Sequence, residues 1–390
     1  MNARFLAYTK VIFLLNFSWL KGFEKENITI RGSFDHSRLA METNKAATVA
    51  FMGGSITEMD GYRPMVMDFL KKKYPQTKFT FINAGISSTC STTGAFRLVR
   101  DVISKGPIDL FFLEFAVNDD QDAAHPREAC IRGMEGIIRQ LRTKSPHTDI
   151  VVTYFVNPKM LAELDEGKKP LSMSSHEQVL ERYQISRIHL ARELSTQIKK
   201  GKFTWEQFGG THPKTPGNRL CADMHEHLFN LAWSGSSPTV AKLHPLPSSP
   251  LSPFNYEFGR FLSPEKIKLT DGWKYSEPNW SNLKGSKRKR YLNAPLLHTD
   301  FEAAPIHFKF KGRAIGAFVL AGPDAGKIKF QIDDKPQKEV DLYHNYSRNL
   351  HYPRTVMFAH DLEPGTHSIT IHTKPSPHGL AVRIMEFCIN

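Results

Sequence analysis

Four short stretches hold the side chains that acyl transfer needs: "GGSIT" at 53–57, "NAG" at 83–85, "AVND" at 116–119 and "GGTHP" at 209–213. A serine hydroxyl is a weak nucleophile and needs a base, usually histidine, within hydrogen-bond reach. The tetrahedral intermediate carries an oxyanion, which needs fixed donors. Ser55 offers the hydroxyl and a backbone N–H, Gly85 an N–H that no Cβ obstructs, Asn118 a side-chain amide and His212 the base. Each is ordinary alone: a turn serine, a glycine ending a strand, a turn-forming Asn-Asp pair, a surface histidine before proline. Their joint order carries the argument.

The elements that must position them alternate. "ATVAFM", "KFTFINAG", "IDLFFLEF" and "DIVVTYFVNP" read as strands. Between them "GYRPMVMDFLKKKYP", "TGAFRLVRDVISKGP" and "PREACIRGMEGIIRQLRTKSP" read as helices, the last with Ile131, Met134, Ile138 and Leu141 on one face. One long helix is expected within "SSHEQVLERYQISRIHLARELSTQIKK". Apolar strands alternating with helices imply a doubly wound α/β domain, a parallel sheet covered on both sides. Ligands in such folds bind beyond the carboxyl ends of the strands, where the first three stretches fall.

The 390 residues exceed one ordinary core, so two domains are expected. Near residue 234 the pattern changes to "SGSSPTVAKLHPLPSSPLSP", a Ser/Pro-rich linker over 236–255. Beyond it, short alternating runs such as "IHFKFKG", "KIKFQIDD" and "HSITIHTK" suggest an antiparallel β-sandwich over 256–390. The net charge of +13 favours acidic partners without choosing among them. No zinc-finger or RNA-binding pattern is present, so no nucleic-acid partner is expected. The N-terminus places Arg4 and Lys10 ahead of an apolar run from Val11 to Leu20. That is the layout of a secretory signal over 1–25 without a clear cleavage site, and it implies a secreted or periplasmic protein with no stable membrane span. Cys90, Cys130, Cys221 and Cys388 are far apart and read as free buried thiols, although four cysteines allow three pairings.

The four blocks resemble the SGNH subfamily of the GDSL-type hydrolases. The resemblance covers residues 47 to 233, within a hydrolase domain drawn at 40–235. It implies a three-layer, flavodoxin-like α/β fold and a serine esterase without cofactor or metal. By resemblance Ser55 is the nucleophile and His212 the base, while Ser55 N–H, Gly85 and Asn118 form the oxyanion hole. Three departures stand out: Gly54 where the family name implies Asp, Ala116 in place of Gly, and Gly209 three residues before His212, where an Asp usually orients the imidazole. Glu206 substituting for it, a Ser–His dyad oriented by a carbonyl, and an impaired base all remain open. Similarity to exported two-domain enzymes implies an acylated carbohydrate substrate. A lysophospholipase or general short-chain esterase, and a carbohydrate-binding protein with a weakened hydrolase domain, are the alternatives.

Further residues carry expectations of their own. Arg63 and His176 are candidate substrate contacts near the strand ends, and Trp273 and Trp280 are candidate sugar-stacking aromatics. His225 and His227, two apart on a helix, do not share a face, so no metal site is expected there. The basic run "KGSKRKR", ending at Arg290, reads as a solvated loop.

Overall fold

The structure, a computed structural model, describes residues 22–390. The expected export segment lies, but for residues 22–25, outside the described residues. Among those described, no helix is long and apolar enough to cross a membrane.

The first domain is built on a six-stranded sheet. Its strands are β1 (Ile28–Thr29), β2 (Ala46–Gly53), β3 (Lys78–Gly85), β4 (Leu110–Leu113), β5 (Asp149–Thr153) and β6 (Ser186–Ile188), in the order β1-β6-β5-β4-β2-β3. All neighbours are parallel except the edge strand β1, which runs antiparallel to β6. Helices α1 (Asp35–Glu42), α2 (Ser55–Glu58), α3 (Tyr62–Lys73), α4 (Ser91–Asp101), α5 (Arg127–Lys144), α6 (Pro158–Asp165), α7 (Leu171–Arg182), α8 (Leu190–Lys199), α9 (Trp205–Phe208) and α10 (Thr215–Ala232) connect and flank them. α4, α5 and α7 pack side by side, and α3 and α8 each pack on α10. The chain steps from β2 outward to β3 and then back past β2 to β4. Right-handed crossovers in opposite directions put helices on opposite faces. The strand order reverses between β2 and β4, and a crevice opens there beyond the strand ends.

Two expectations are corrected. The sheet gains β1, ahead of the expected domain start at residue 40. The expected long helix is two helices with β6 between them: α7 ends at Tyr183, Gln184 takes a positive φ of 52°, and Ser186–Ile188 pairs with β5. The β-branched "ISRI" run supplies a strand that is buried at both of its ends.

A buried cation ties the strand ends together. Arg97 of α4 is fully buried and donates to Ala84 O at 2.6 Å, Gly53 O at 3.0 Å and Asp101 at 3.1 Å. Its guanidinium therefore binds the last carbonyl of β2 and the penultimate one of β3, at the point where the Ser55 turn begins.

The second domain is an antiparallel sandwich. One sheet holds β14 (Tyr352–Ala359), β11 (Ile315–Ala321), β16 (Val382–Ile389), β9 (Leu296–Thr299) and β8 (Lys274–Ser276) in that order, with β7 (Arg260–Leu262) also on β16. The other holds β10 (Ile306–Gly312), β15 (Gly365–Lys374), β12 (Lys327–Ile332) and β13 (Lys338–Asp341). β11 is buried at every position. Ala317 and Val319 face the sandwich core, whereas Phe318 and Leu320 join the apolar core of the first domain. A strand buried on both faces reads as continuously apolar, which accounts for "AIGAFVLAG". The larger sheet is thus clamped on the hydrolase domain through α4, with Arg100 beside Phe261 and 3.5 Å from Glu386. The Ser/Pro-rich segment is no free tether. His244 N donates to Pro146 O, Leu251 N donates to Glu135, and Tyr256 is buried against Gly136 of α5.

Candidate active site

Ser55 opens α2 directly beyond the end of β2. Its turn is held from beneath by Glu114, a carboxylate buried just after β4. Glu114 Oε1 accepts from Gly54 N at 2.8 Å and from the Thr57 hydroxyl at 2.7 Å. Burial raises its pKa to about 7, against the pull of these donors and of Arg97. Gly54 is required by space: a Cβ there would stand 2.2 Å from Asn118 Oδ1, so its absence admits the Asn118 side chain against the nucleophile turn.

Ser55 Oγ lies 2.7 Å from His212 Nε2. For the serine to donate, Nε2 must be unprotonated and Nδ1 must carry the proton. Among the described residues, no hydrogen bond or ion pair reaches His212 Nδ1 from Glu206 or from any carbonyl. Glu206 is exposed on α9, a four-residue helix closed by the Thr204–Gln207 capping box. Gly209 ends that helix at φ 104°, in the left-handed region, and a Cβ there would meet Lys214 N at 2.3 Å. The site where an aspartate was expected is therefore a helix-terminating glycine whose backbone excludes one. Burial holds the imidazole below its ordinary 6.5, and the guanidinium of Arg288 adds to that.

The residues expected to be oxyanion donors stand in different surroundings. Asn118 begins a single π-helical turn, Asn118–Asp122, in which its Nδ2 donates to Asp122 at 2.5 Å. Such turns cluster at functional sites. Gly85 N–H donates to Asn83 Oδ1 at 2.9 Å, and the glycine lies under α2, where a Cβ would stand 2.3 Å from Glu58 N. Gly85 thus lets α2 approach β3, and it does not line the cleft. The residues at the cleft wall are Ser87 and Ser88. Ser88 takes φ 69°, a left-handed conformation unusual for serine.

The cleft above Ser55 has a volume of about 520 Å³ and is shared by both domains. The second domain supplies Arg288, Tyr346, Arg348, Asn349 and Tyr352. Arg288 donates to Ser88 Oγ at 2.7 Å, and Arg290 pairs with Glu58 at 3.0 Å. The basic run expected to be a solvated loop therefore lies over the nucleophile block. It is fixed to the 345–352 loop by Ser286 N to Asn349 O at 2.8 Å and His351 N to Ser286 O at 2.9 Å.

Two candidate substrate contacts are corrected. Arg63 is buried, donates to Thr57 O at 3.3 Å and pairs with Asp60 at 2.6 Å, so it braces the α2–α3 turn. His176 is fully buried and bonded to Asp119 at 2.8 Å. Trp273 belongs to the sandwich core, and Trp280 Nε1 donates to Leu292 O. Arg97, Glu114, Ser88 and Arg288 were not singled out from the sequence. Only Glu114 left a signal, as a lone carboxylate inside "FFLEFAV".

Residues 51–220 match the family model described as the GDSL-like Lipase/Acylhydrolase family. Over those residues the first domain is similar to the GDSL-type lipases and acylhydrolases, and a β-sandwich follows it. No curated protein matches the chain. Among solved structures, the fold resembles that of a two-domain esterase (CEX) active on acetylated mannans, with TM-score 0.75, 18% identity, and 93% of this chain and 97% of that one covered. The form of CEX co-crystallised with mannopentaose matches with TM-score 0.73, 18% identity, and 93% and 96% coverage.

Two substitutions test the geometry around His212. Glu206→Gln is expected to leave kcat/KM for a small ester within about twofold, because no contact is lost. Gly209→Asp is expected to lower the melting temperature, because it forces a left-handed aspartate against the Lys214 backbone. A tenfold loss in Glu206→Gln, or a more stable and more active Gly209→Asp, would contradict this arrangement.

Proposed function

We propose that this protein removes acetyl or other short acyl groups from a carbohydrate through an ester of Ser55. The observation that carries the reading is the 2.7 Å contact between Ser55 Oγ and His212 Nε2 at the floor of the shared cleft. Ser55 Oγ attacks the ester carbonyl and gives its proton to His212 Nε2. The negative charge developing on the carbonyl oxygen is met by the amides of Ser55 and Ser88 and by Asn118 Nδ2. His212 then protonates the leaving sugar hydroxyl, and the acyl group stays on Ser55. Water, deprotonated by His212, attacks that ester and releases the carboxylic acid. His212 works in a dyad: among the described residues, no carboxylate bonds its Nδ1–H.

The lining supports a hydroxyl-rich leaving group over a long acyl chain. Gln121, Asp122, Asn345, Asn349 and Arg348 present hydrogen-bonding groups. Tyr346, 42% exposed, supplies aromatic area. Sugars are bound by this combination of polar edges and aromatic faces. The acylated mannan named for the structural relative is of the same class. An exported chain, as the basic and apolar N-terminus implies, would meet such polymers outside the cell.

Acetate release from an acetylated manno-oligosaccharide tests the reading. Ser55→Ala is expected to lower turnover by at least about 10³-fold; equal rates would sink the nucleophile assignment. Faster cleavage of long-chain acyl esters than of acetyl esters would favour the lysophospholipase alternative.

The pH profile tests the electrostatics of the base. His212 must be neutral to accept the proton, so the rate rises as pH passes its pKa. That pKa lies below 6.5 from burial first and from Arg288 second. Removing the guanidinium eases protonation, so Arg288→Ala is expected to move the acidic limb of kcat to higher pH. An unchanged limb would contradict the role given to Arg288.

A further inference from the structure

A second cluster of reactive side chains stands beside the ester cleft and takes no part in the proposed reaction. Cys90 ends the loop after β3, two residues beyond Ser88. Its Sγ lies 3.8 Å from His125 Nε2, within reach of a sulfur hydrogen bond. On the other side of that ring, His125 Nδ1 is 3.4 Å from Asp119 Oδ1. Asp119 is fully buried and firmly held. Its Oδ1 accepts from Ser91 N at 2.8 Å, and its Oδ2 accepts from the Ser91 hydroxyl at 2.7 Å and bonds His176 Nε2 at 2.8 Å. With both oxygens already engaged, Asp119 stands as a fixed negative charge beside His125, without a hydrogen bond to it. The order thiol, imidazole, carboxylate is that of an activated nucleophile with its base and a supporting charge.

The cluster also has an approach. A cleft of about 270 Å³ is lined by Cys90, Thr92 and His125 from the first domain and by Tyr352, Arg354 and Val356 from the second. It shares Ser88, Asp122 and Tyr352 with the ester cleft. Cys90 is 5% exposed, whereas Cys130, Cys221 and Cys388 are fully buried and line neither cleft. Cys221 provides a comparison. Its Sγ also stands beside a histidine, 3.7 Å from His225 Nδ1, but that pair is sealed in the core. Burial drives the Cys221 thiol up and holds His225 down to about 4. At Cys90 burial also pushes the thiol up, but the charge on His125 and the hydrogen bonds from His125 and Thr93 together leave the thiol below its ordinary value. The imidazolium is itself supported by Cys90 and Asp119.

We propose that Cys90, His125 and Asp119 form a second reactive site, a thiol centre that takes small electrophiles and low-molecular-weight disulfides from the cleft between the domains. With a disulfide R–S–S–R, the Cys90 thiolate attacks one sulfur. The Cys90–S bond forms, the S–S bond breaks, and the second half leaves as a thiolate that takes up a proton from water. Cysteine is oxidised and the disulfide reduced, with no other reactant. An adduct at Cys90 stands two residues from Ser88, which lines both clefts, and displaces the Ser88 turn. Ester turnover therefore falls as the adduct forms. That consequence rests on the proposed function, whereas the labelling does not.

The test uses the full native chain with iodoacetamide at pH 7, followed by peptide mass spectrometry. Cys90 is expected to label at least tenfold faster than each of the other three cysteines, which remain unlabelled until urea is added. Oxidised glutathione is expected to add to the same residue alone. His125→Gln is expected to slow Cys90 labelling at least tenfold, and its three core thiols report whether that variant is folded. A second measurement needs no variant: the rate of Cys90 labelling against pH has its midpoint below that of a free cysteine, about 8.5. The groups facing Cys90 in that titration are His125 and Asp119 after β4, Arg132 of α5, and Tyr352 and Arg354 of β14. Equal labelling of all four cysteines, an unreactive Cys90 in the folded chain, a free-cysteine midpoint, or an unchanged rate in folded His125→Gln would each overturn the proposal.

Discussion

The Ser55 turn rests on two buried polar side chains placed at the carboxyl ends of three parallel strands. Arg97 binds the last carbonyl of β2 and the penultimate one of β3, and Glu114, just past β4, accepts the first amide of the Ser55 turn and the Thr57 hydroxyl. Backbone groups at strand ends have no ladder partners, and leaving them unpaired in a dry interior is costly. Supplying those partners from side chains fixes the turn in one geometry. Removing either side chain would leave buried backbone groups unpaired, a loss of about 1–3 kcal/mol. Ser55, Ser88 and Asn118 inherit their positions from that frame.

The second domain completes the site through its outer face. Because Phe318 and Leu320 are part of the first domain's core, the larger sheet of the sandwich sits in a fixed relation to α4. The loops carrying Arg288 and Tyr346 are thereby carried over Ser55. The cleft is therefore a property of the docked pair, and polar recognition and base electrostatics both depend on the docking. Arg288 acts on both: it bonds Ser88 and lowers the basicity of His212.

Much of this was legible in the sequence because hydrophobic period and turn residues report local structure directly. The α/β alternation, the β-sandwich and the blocks at Ser55, Asn118 and His212 all come from such local signals. What was not legible depends on long-range placement. The strand at Ser186–Ile188 is too short to show a period of its own, and it exists because β5 offers an edge. Gly85 looked like an open donor, yet its amide is spent on Asn83 and its missing Cβ serves the packing of α2. Ser88 carried no mark, since only its left-handed φ distinguishes it. "KGSKRKR" has the composition of a solvated loop, and only the docking of the sandwich brings Arg288 and Arg290 over the nucleophile. Gly209 was legible as a departure but not as a cause. The short α9 must end in a left-handed residue there, and that requirement removes the aspartate.

The central claim is that Ser55 is activated by His212 alone, and a fluorophosphonate probe tests it most directly. Such a probe phosphonylates a serine only when its hydroxyl is activated by a base. The expected result is a single adduct on Ser55 of the native chain, lost in His212→Ala and retained in Glu206→Gln. An adduct on another serine, no adduct at all, or an adduct that survives His212→Ala would contradict the account.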